Sequence, residues 1–549
     1  DGAITNHMWA TISGGDGFVT QQDPVEHHVV YAESQGGNMG RINLRSGERT
    51  SLRKPSWLDK WRMLEDSILI YRGEGAPPPE VEQRIAELRA QQTADSAAFA
   101  LRWNWNTPFL LSPHDRRVFY AGANRVLKST NRGEDLTPIS PDLTYADTMK
   151  IRISTQETGG ITTDATGAET YGTIVSLAES PRRAGWLFAG TDDGRVWLTR
   201  DDGANWTELT SRFRGVPANT YVSRIEPSWH DENVLYVTFD GHRTGDFTPY
   251  VFVTSDGGRS FRSIAGGLPS GGIDFVHVIR EDPVSPNLLY VGTDVGLYVS
   301  LDRGATWRRF MHGMGTVPVH DLKIHPRDHE LIAGTHGRSI LVTDVAPLQQ
   351  LAGPAAPSQI TFFRPKPGLQ FGDPHIGGES TGQRVFEGDN VDYGAELTYW
   401  IPPVAAAADT DTEGDGDGAP RGATSDAPAS NGGGRPQRQE RPQASIAILD
   451  AQGDTVQTMN GPATAGLHRV YWNYRTSQTE RTLSPSEKAD SAALIARATE
   501  LADSLLAAGA DSAAIARVRT AIATGDIGSL RRRGGGGGGG AGPGEQNLR

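Results

Sequence analysis

The stretch Ser300-Leu301-Asp302-Arg303-Gly304-Ala305-Thr306-Trp307 has the form Ser-x-Asp-x-Gly-x-Thr-Trp, and the chain repeats it. Earlier copies of this octet begin at Thr199 and Thr254, and a degraded copy begins at Ser129. In each copy a hydroxyl residue ends one strand, an Asp or Asn bonds its own backbone across a tight turn, and Gly takes the positive φ. A Trp or Phe then opens the next strand. We predict a hairpin with a structural role at each octet, carried by Asn131, Gly133, Asp201, Gly203, Trp206, Asp256, Gly258, Phe261, Asp302, Gly304 and Trp307.

Each octet closes a unit of the same layout. A strand ends in a Pro turn, an apolar strand such as Leu288-Leu289-Tyr290-Val291-Gly292 follows, and a third strand enters the octet. The octet glycines recur at intervals of roughly 46 to 70 residues, and the shorter end matches a four-stranded propeller blade. The sequence therefore predicts an all-β fold, in which residues 1–350 form a β-propeller of six to seven four-stranded blades.

The two ends of this region look incomplete. Residues 9–12 read as a strand with no complete octet before them, and the last unit, residues 319–344, lacks a fourth strand. We predict that these two pieces complete one blade and close the ring, because propellers avoid exposed, unpaired sheet edges. That gives six blades from this chain, and a seventh if sequence is missing upstream. Since the chain starts at Asp1 and shows no signal peptide, we expect a processed or truncated piece.

Four other segments depart from the repeat. Residues from about 55 to 101 have helical spacing after a Pro-rich start, which predicts a helical insertion. Residues 351–403 and 444–480 have the alternating strands of a small Ig-like β-sandwich. Between them, residues 404–443 are acidic and rich in Gly and Pro, which predicts a disordered linker. Residues 481–549 predict an Ala-rich helical segment followed by a Gly-rich tail.

Composition excludes several kinds of partner and cofactor. The net charge of −13 argues against nucleic acid, and no apolar run is long enough for a membrane span. The chain has no cysteine, so it has neither a disulfide framework nor a thiolate metal site. His27 and His28 are adjacent but lack a third ligand nearby in sequence. The acidic stretch at residues 409–417 lacks the closing Glu of a calcium loop. We therefore predict no metal and no cofactor.

Several segments together resemble a known group of proteins. Residues 103–108, 292–300, 317–322 and 334–339 are similar to the large bacterial proteins with sortilin/VPS10-like BNR, or Asp-box, propellers, often labelled glycosyl hydrolase by analogy. Residues 449–453 and 465–472 resemble the FlgD Ig-like module. The resemblance implies a secreted, periplasmic or cell-surface bacterial protein. It also implies a second, N-terminal propeller, absent from this chain, as a contact partner.

Two functions remain open on the sequence. The first is an extracytoplasmic binding or scaffold protein that recognises a glycan or a polypeptide through loops around the propeller channel. Residues in or beside inter-strand loops are the candidates for such a surface, although each Trp could equally belong to the core. They are Trp103, Trp105, Tyr171, Tyr221, Trp229, His230, Arg243, His336 and Arg338.

The second function is a glycoside hydrolase of the xyloglucanase type, acting together with the missing propeller. Glycoside hydrolysis requires two carboxyl groups across a cleft, and the acids Asp192, Asp193, Asp240 and Asp294 form the candidate pool. A sialidase is disfavoured because its Arg-Ile-Pro motif is matched only by Arg224-Ile225-Glu226-Pro227, with an extra residue. No residue is assigned as catalytic.

Overall fold

The structure is a computed structural model. It describes residues 9–55, 57–73, 76–98, 101–154, 170–353, 357–368, 392–403, 443–476 and 485–524, which leaves the predicted linker outside the described residues. Within these ranges no helix combines the length and the apolar character that crossing a membrane requires.

Six antiparallel sheets follow one another along the described chain up to Asp344. The first five sheets have four strands in sequential order, and the sixth has three. Sheet 1 contains β1 (Thr20–Gln22), β2 (Val29–Ser34), β3 (Asn38–Asn43) and β4 (Arg49–Leu52); sheet 2 contains β5 (Phe109–Leu111), β6 (Phe119–Gly122), β7 (Val126–Ser129) and β8 (Thr137–Pro138); sheet 3 contains β9 (Ile174–Glu179), β10 (Leu187–Thr191), β11 (Val196–Thr199) and β12 (Thr207–Glu208). Sheet 4 contains β13 (Tyr221–Pro227), β14 (Leu235–Asp240), β15 (Tyr250–Thr254) and β16 (Arg262–Ser263); sheet 5 contains β17 (Val276–Glu281), β18 (Leu289–Thr293), β19 (Gly296–Ser300) and β20 (Arg308–Arg309); sheet 6 contains β21 (Val319–His325), β22 (Glu330–Thr335) and β23 (Ile340–Asp344).

The first strand of each sheet is the inner strand, and consecutive inner strands lie side by side. Side chains join them to the neighbouring backbone. The amide of Gln21 donates to the Phe109 carbonyl, Ser176 Oγ accepts from the Ile225 amide, and Arg280 Nε donates to the Leu322 carbonyl at 2.8 Å. Sequential four-stranded sheets with neighbouring inner strands are the blades of a β-propeller. The predicted all-β propeller fold is therefore confirmed.

The octets form the turn between the third and fourth strands of sheets 2 to 5. In the copy that begins at Ser300, the hydroxyl of Ser300 donates to Asp302 Oδ1 at 2.8 Å and accepts from the Gly304 amide at 2.7 Å. The indole N–H of Trp307 reaches the preceding blade, where it donates to the Ile264 carbonyl at 2.7 Å. The octet thus closes its own hairpin, and in the two copies that end in Trp the indole also bonds the preceding blade.

The degraded octet keeps this geometry by moving its carboxylate. The Asp position holds Asn131, and the carboxylate comes from Asp135, four residues later. Asp135 Oδ1 accepts the Ser129 hydroxyl and the Asn131 amide, while the Gly133 amide donates to Ser129 Oγ at 2.9 Å. The hairpin therefore tolerates an exchange of these positions, since one acceptor near the hydroxyl is enough.

Adjacent blades touch through glycine in the second strand. A Cβ on Gly190 would lie 2.4 Å from a methyl carbon of Val222, and a Cβ on Gly292 would lie 2.5 Å from the carbonyl oxygen of Val319. Gly122 meets Ile174 of the next blade in the same way. At these points the backbone of one blade rests directly on the inner strand of the next, and any larger residue would push the two apart.

The predicted closure between residues 9–12 and the last blade is not formed. Residues 9–12 are not a strand, and sheet 6 has only β21, β22 and β23. The guanidinium of Arg49 in β4 donates to the carbonyls of Thr11 and Ile12, at 3.1 and 2.7 Å. These residues therefore lie beside the outer strand of sheet 1 and do not supply a fourth strand to sheet 6.

Six α-helices occur in the described residues. α1 and α2 pack on each other through the buried Ile68 and Leu88, and they occupy the segment where the helical insertion was predicted. The helices are α1 (Trp57–Arg72), α2 (Pro79–Ala98), α3 (Thr148–Arg152), α4 (Ala346–Leu351), α5 (Pro485–Ala507) and α6 (Ser512–Thr524).

Beyond the propeller, the described chain forms one three-stranded sheet and one hairpin. β24 (Thr361–Phe362), β25 (Ala395–Ile401) and β28 (Gly466–Trp472) form the sheet, and β26 (Gln443–Leu449) pairs with β27 (Thr455–Pro462). The chain divides into two compact units: Asp1–Ala444 with Gly461–Tyr474, and Ser445–Asn460 with Arg475–Arg549. In the second unit α5 packs against α6.

The contact at Gly292 gives a test of blade packing. Gly292→Ala places a methyl group against the Val319 carbonyl, which belongs to backbone and cannot turn aside. We expect a loss of about 2 kcal/mol in the free energy of unfolding, measured as the denaturant midpoint by far-UV circular dichroism. Gly315→Ala is the control, because a Cβ there meets nothing within 4 Å. Equal midpoints for the two variants would contradict the packing described.

Candidate functional site

A cavity of about 840 Å³ lies along the inner strands. All six sheets contribute to its wall, from Gln21 in sheet 1 to Lys323 in sheet 6. A cavity of this size is within the range of small-molecule and cofactor sites. Because the wall repeats from blade to blade, equivalent positions of the inner strands define its chemistry.

The first repeated position is a β-bulge in the inner strand. In sheet 5 the pairing register shifts between Val276 and Val278, which leaves His277 unpaired. In sheet 6 the shift between Val319 and Asp321 leaves His320 unpaired. A bulge re-aims the extra side chain, and both imidazoles line the cavity. Val175 and Ser223 are the matching residues of sheets 3 and 4.

The second repeated position ends the second strand or follows it directly. It holds Asp192 in sheet 3, Asp240 in sheet 4, Asp294 in sheet 5 and His336 in sheet 6. In sheets 3, 5 and 6 the amide of this residue donates to a carbonyl just before the inner strand; that of Asp294, for example, donates to Phe275 at 3.2 Å. This bond holds the side chain beside the bulge of its own blade.

Histidines of sheets 5 and 6 lie side by side where the bulge position and the second-strand position are close together. His277 Nε2 lies 3.1 Å from Asp294 Oδ1. The ring centroids of His277 and His320 are 4.1 Å apart, and those of His320 and His336 are 4.8 Å apart. Burial lowers the pKa of His277, although Asp294 opposes the change. Burial and the neighbouring imidazoles of His277 and His336 lower the pKa of His320 to about 4. Both side chains are therefore neutral at pH 7.

A second imidazole–carboxylate pair comes from sheet 4. His242 Nδ1 lies 2.6 Å from Asp240 Oδ1, and its ring stacks on Phe275 with centroids 4.7 Å apart. Phe275 also meets His277 edge-on at 4.9 Å. Aromatic and imidazole rings thus form a continuous row from sheet 4 to sheet 6 along one side of the cavity.

Charged side chains form a network further along the same strands. Arg280 is 9% exposed and donates to Glu226 Oε2 at 2.7 Å and to Asp321 Oδ1 at 3.0 Å. Arg224 donates to the same Asp321 oxygen at 2.8 Å. Burial opposes ionisation of Asp321, yet the guanidinium groups of Arg224 and Arg280 hold its pKa below the ordinary value. Three blades are therefore joined by one ionic cluster.

Lys323 adds a third cation to this cluster. Its side chain is exposed to the cavity, and no ion pair to it is found among the described residues. The positive charge of Arg280, followed by burial, lowers the pKa of Lys323 to about 8. Three cations thus face two carboxylates in this cluster, those of Glu226 and Asp321, so the cluster has one more positive than negative group at pH 7.

The structure brings four of the predicted binding residues to this region. Tyr221, Trp229 and Arg243 line the cavity, and the Arg243 guanidinium lies 4.3 Å from the centre of the Tyr221 ring. The indole of Trp229 is 45% exposed. His336 is exposed and adjoins His320.

The other predicted binding residues lie elsewhere or point away. Trp103 packs on Gly37 and under the Lys54 ammonium, while Tyr171 is only 3% exposed, with its hydroxyl 3.3 Å from Lys150 Nζ. His230 Nε2 bonds the Asp282 carbonyl of the next blade. The remaining two are Trp105, which is half-buried, and Arg338, which is exposed.

Sequence reasoning missed the residues that dominate the cavity. His242, His277 and His320 were not singled out, and neither were Arg280 and Lys323. A signal was available, because aligning the inner strands on Val222, Val276 and Val319 puts Ser223, His277 and His320 in one column. The spacing of the octets predicts the blades, whereas the chemistry of the cavity wall depends on the equivalent residues of the inner strands.

The candidate acids are occupied by local bonds. Asp192 accepts the amides of Gly172 and Thr173, at 3.0 and 2.8 Å, and burial together with the charge of Asp193 raises its pKa well above the ordinary value. Asp193 is fully buried and accepts from the Thr191 hydroxyl and the Tyr145 amide. Neither residue lines the cavity. Asp240 and Asp294 are bonded to His242 and His277.

No family model matches the chain, and no curated protein sequence matches it. Among solved structures, an ancestral GH74 enzyme is 17% identical over 53% of this chain and 36% of its own, with a TM-score of 0.32. The GH74 xyloglucanase from Xanthomonas campestris is 17% identical over 60% of this chain and 52% of its own, with a TM-score of 0.36. YCF48 bound to D1 peptide is 10% identical over 64% and 85%, with a TM-score of 0.34.

This chain spans about a third and about half of the two GH74 enzymes. At these identities and TM-scores the likenesses carry no inference about activity or ligand. The propeller architecture rests on the sheet order and the inner-strand contacts given above.

The ionic cluster can be tested through stability. Arg280→Gln leaves Glu226 and Asp321 short of a partner in the cavity wall, and we expect a loss of about 3 kcal/mol in the free energy of unfolding. Arg183→Gln breaks the ion pair between Arg183 and Glu232 on the exposed surface, and should cost much less stability than Arg280→Gln because water screens surface ion pairs. Denaturant unfolding measures both. An equal loss in the two variants would count against a cluster that joins blades.

Proposed function

We propose that this protein is an extracytoplasmic binding or scaffold protein, whose propeller cavity and surrounding loops recognise a glycan or polypeptide that carries an anionic group. The observation that carries the proposal is the unpaired Lys323 beside Arg224 and Arg280. A ligand carboxylate there would balance the excess cation and gain charge-assisted hydrogen bonds.

The aromatic side of the cavity supports the same function. Two rings line this side of the cavity: Tyr221, beside Arg243, and His242, which stacks on the buried Phe275. Such rings suit sugars as well as peptide side chains, and polar groups beside them give orientation. The ligand would thus bind its apolar part among the rings and place its charge near Lys323.

The family and the cellular location of the protein are further parts of the proposal. The octet geometry supports membership of the sortilin/VPS10-like group of Asp-box proteins, and the strands β25 to β28 are where the FlgD-like module is expected. Such proteins are exported, so we infer a secreted, periplasmic or cell-surface location. An N-terminal propeller would then be a contact partner.

The glycoside hydrolase alternative has less support. Hydrolysis requires two carboxyl groups facing one bond of the substrate. Asp192 and Asp193 lie away from the cavity and accept hydrogen bonds from backbone amide and hydroxyl groups. Asp240 and Asp294 are each bonded to an imidazole. Ligand binding, in contrast, does not require two free carboxyl groups.

Two arrays test the proposal directly. The purified protein is applied to oligosaccharides with and without uronic acids, and to peptides with free or amidated C-termini. Binding that depends on the carboxylate in either array supports the proposal, and the array identifies the class of ligand. Binding of neutral members alone would refute the anionic requirement. Release of reducing sugar from any bound oligosaccharide would favour the hydrolase.

The pKa of Lys323 predicts a pH dependence for the ligand so identified. Below about 8 the ammonium is charged, and above it the amine is neutral, so affinity should fall by about tenfold between about pH 7 and pH 9.5. Titration calorimetry measures this change. Lys323→Gln should bind weakly at both pH values and lose most of the pH dependence.

The matched control is Lys128→Gln, since Lys128 pairs with Asp202 outside the cavity. This variant should keep the affinity and the pH dependence of the unaltered protein. An unchanged pH profile in Lys323→Gln would show that another group controls the binding.

A further inference from the structure

Two blades place metal-type donors at one point of the cavity wall. Sheet 5 supplies His277 from its bulge and Asp294 from the end of its second strand, and sheet 6 supplies His320 from the matching bulge. One ligand atom of each residue lies within 4.8 Å of the other two. We propose that His277, His320 and Asp294 bind a divalent transition-metal ion such as Zn²⁺.

The distances fit a shared ion. Zn²⁺ binds imidazole nitrogen and carboxylate oxygen at about 2.0–2.1 Å, so two ligands of a tetrahedral site lie about 3.3 Å apart. His277 Nε2 and Asp294 Oδ1 are already 3.1 Å apart. Because no two of these atoms are more than 4.8 Å apart, His320 has to bring its nitrogen closer by at most about 1.5 Å. A small rotation of one exposed imidazole is enough.

The surrounding groups favour a cation at this point. Two imidazoles and one carboxylate form a donor set that suits Zn²⁺ and neighbouring first-row ions. The carboxylate of Asp240 lies close enough to act on both imidazoles, which adds a second negative charge nearby. The bulge fixes each histidine on a strand, and strands hold ligands more precisely than loops do.

The site would keep a coordination position open to the cavity. His277 and His320 both line the cavity wall, and His336 adjoins His320 on the far side. Sites with three protein ligands and one open position leave room for water or for an oxygen of a bound molecule. This inference goes beyond the proposed ligand recognition and does not depend on it.

The sequence prediction of no metal considered only donors close in the chain. His27 and His28 were weighed for that reason and lack a third ligand. In the cavity the donors come from neighbouring blades, so their proximity arises from the repeat. His27 and His28 therefore serve as a matched control, because they equal the two proposed histidine ligands in number and type.

Zn²⁺ binding to the full chain, without an affinity tag, tests the proposal. The protein is stripped with a chelator, dialysed, and titrated with ZnCl₂ in competition with a chromophoric chelator. We expect one equivalent to bind, and His320→Gln and Asp294→Asn each to weaken the affinity at least tenfold. The double variant His27→Gln with His28→Gln should bind as the unaltered protein does.

Far-UV circular dichroism and the thermal midpoint of each stripped variant establish that it is folded. The thermal midpoint of the unaltered protein should then rise on addition of Zn²⁺, because an ion bound only by the folded state stabilises it. Neither site variant should show that rise. A stoichiometry near zero, or a tight equivalent that survives in both site variants, would overturn the proposal. Neither result would bear on recognition of an anionic ligand.

Discussion

The architecture depends on the direct approach of one blade's backbone to the next. At Gly190 the second strand lies directly against the Val222 side chain of the next inner strand, and at Gly292 it lies directly against the Val319 carbonyl. The contact at Gly292 has little freedom, because a carbonyl group cannot rotate away as a side chain can. Each blade is thereby set at a fixed height against the preceding one, and equivalent residues of the inner strands fall at the same level of the cavity.

This alignment explains how a repetitive scaffold produces a non-repetitive site. Val175, Ser223, His277 and His320 occupy one structural position, but only the last two carry a side chain that can bind a proton or a metal. The level that contains Arg280 and Lys323 holds Glu226 in sheet 4. Variation within a repeated position therefore gives the cavity one aromatic and imidazole side and one charged region. The chemistry of the cavity wall comes from the inner strands, while the octets lie at the third hairpin of each blade.

The sequence predicted the blades well because their signals are local. A hydroxyl, an Asp, a Gly and a Trp within eight residues specify one turn, as the octet at Ser300 shows. The site was predicted poorly because its residues are distant in the chain and adjacent only after the blades assemble. Tyr221 and Arg243 were found through their loops, whereas His277 and His320 sit inside strands that read as ordinary apolar sequence. Trp103 and Tyr171 were proposed on the same ground as Tyr221 and Arg243, but Trp103 is half-buried against Gly37 and Tyr171 is buried. The predicted closure through residues 9–12 is not formed, because Arg49 of β4 holds the carbonyls of Thr11 and Ile12 beside sheet 1.

In the part of the chain that the structure describes, sheet 6 has three strands, and β23 lies at its edge. Among the described residues β23 pairs only with β22, so no strand is paired with its other edge. Ile340 and Val342 on this strand are 63% and 57% exposed. An apolar open edge is a template for another extended segment. The propeller thus has a face on which main-chain hydrogen bonds alone could recruit a strand, whatever the side chains of that strand are, and this recruitment would be independent of the cavity.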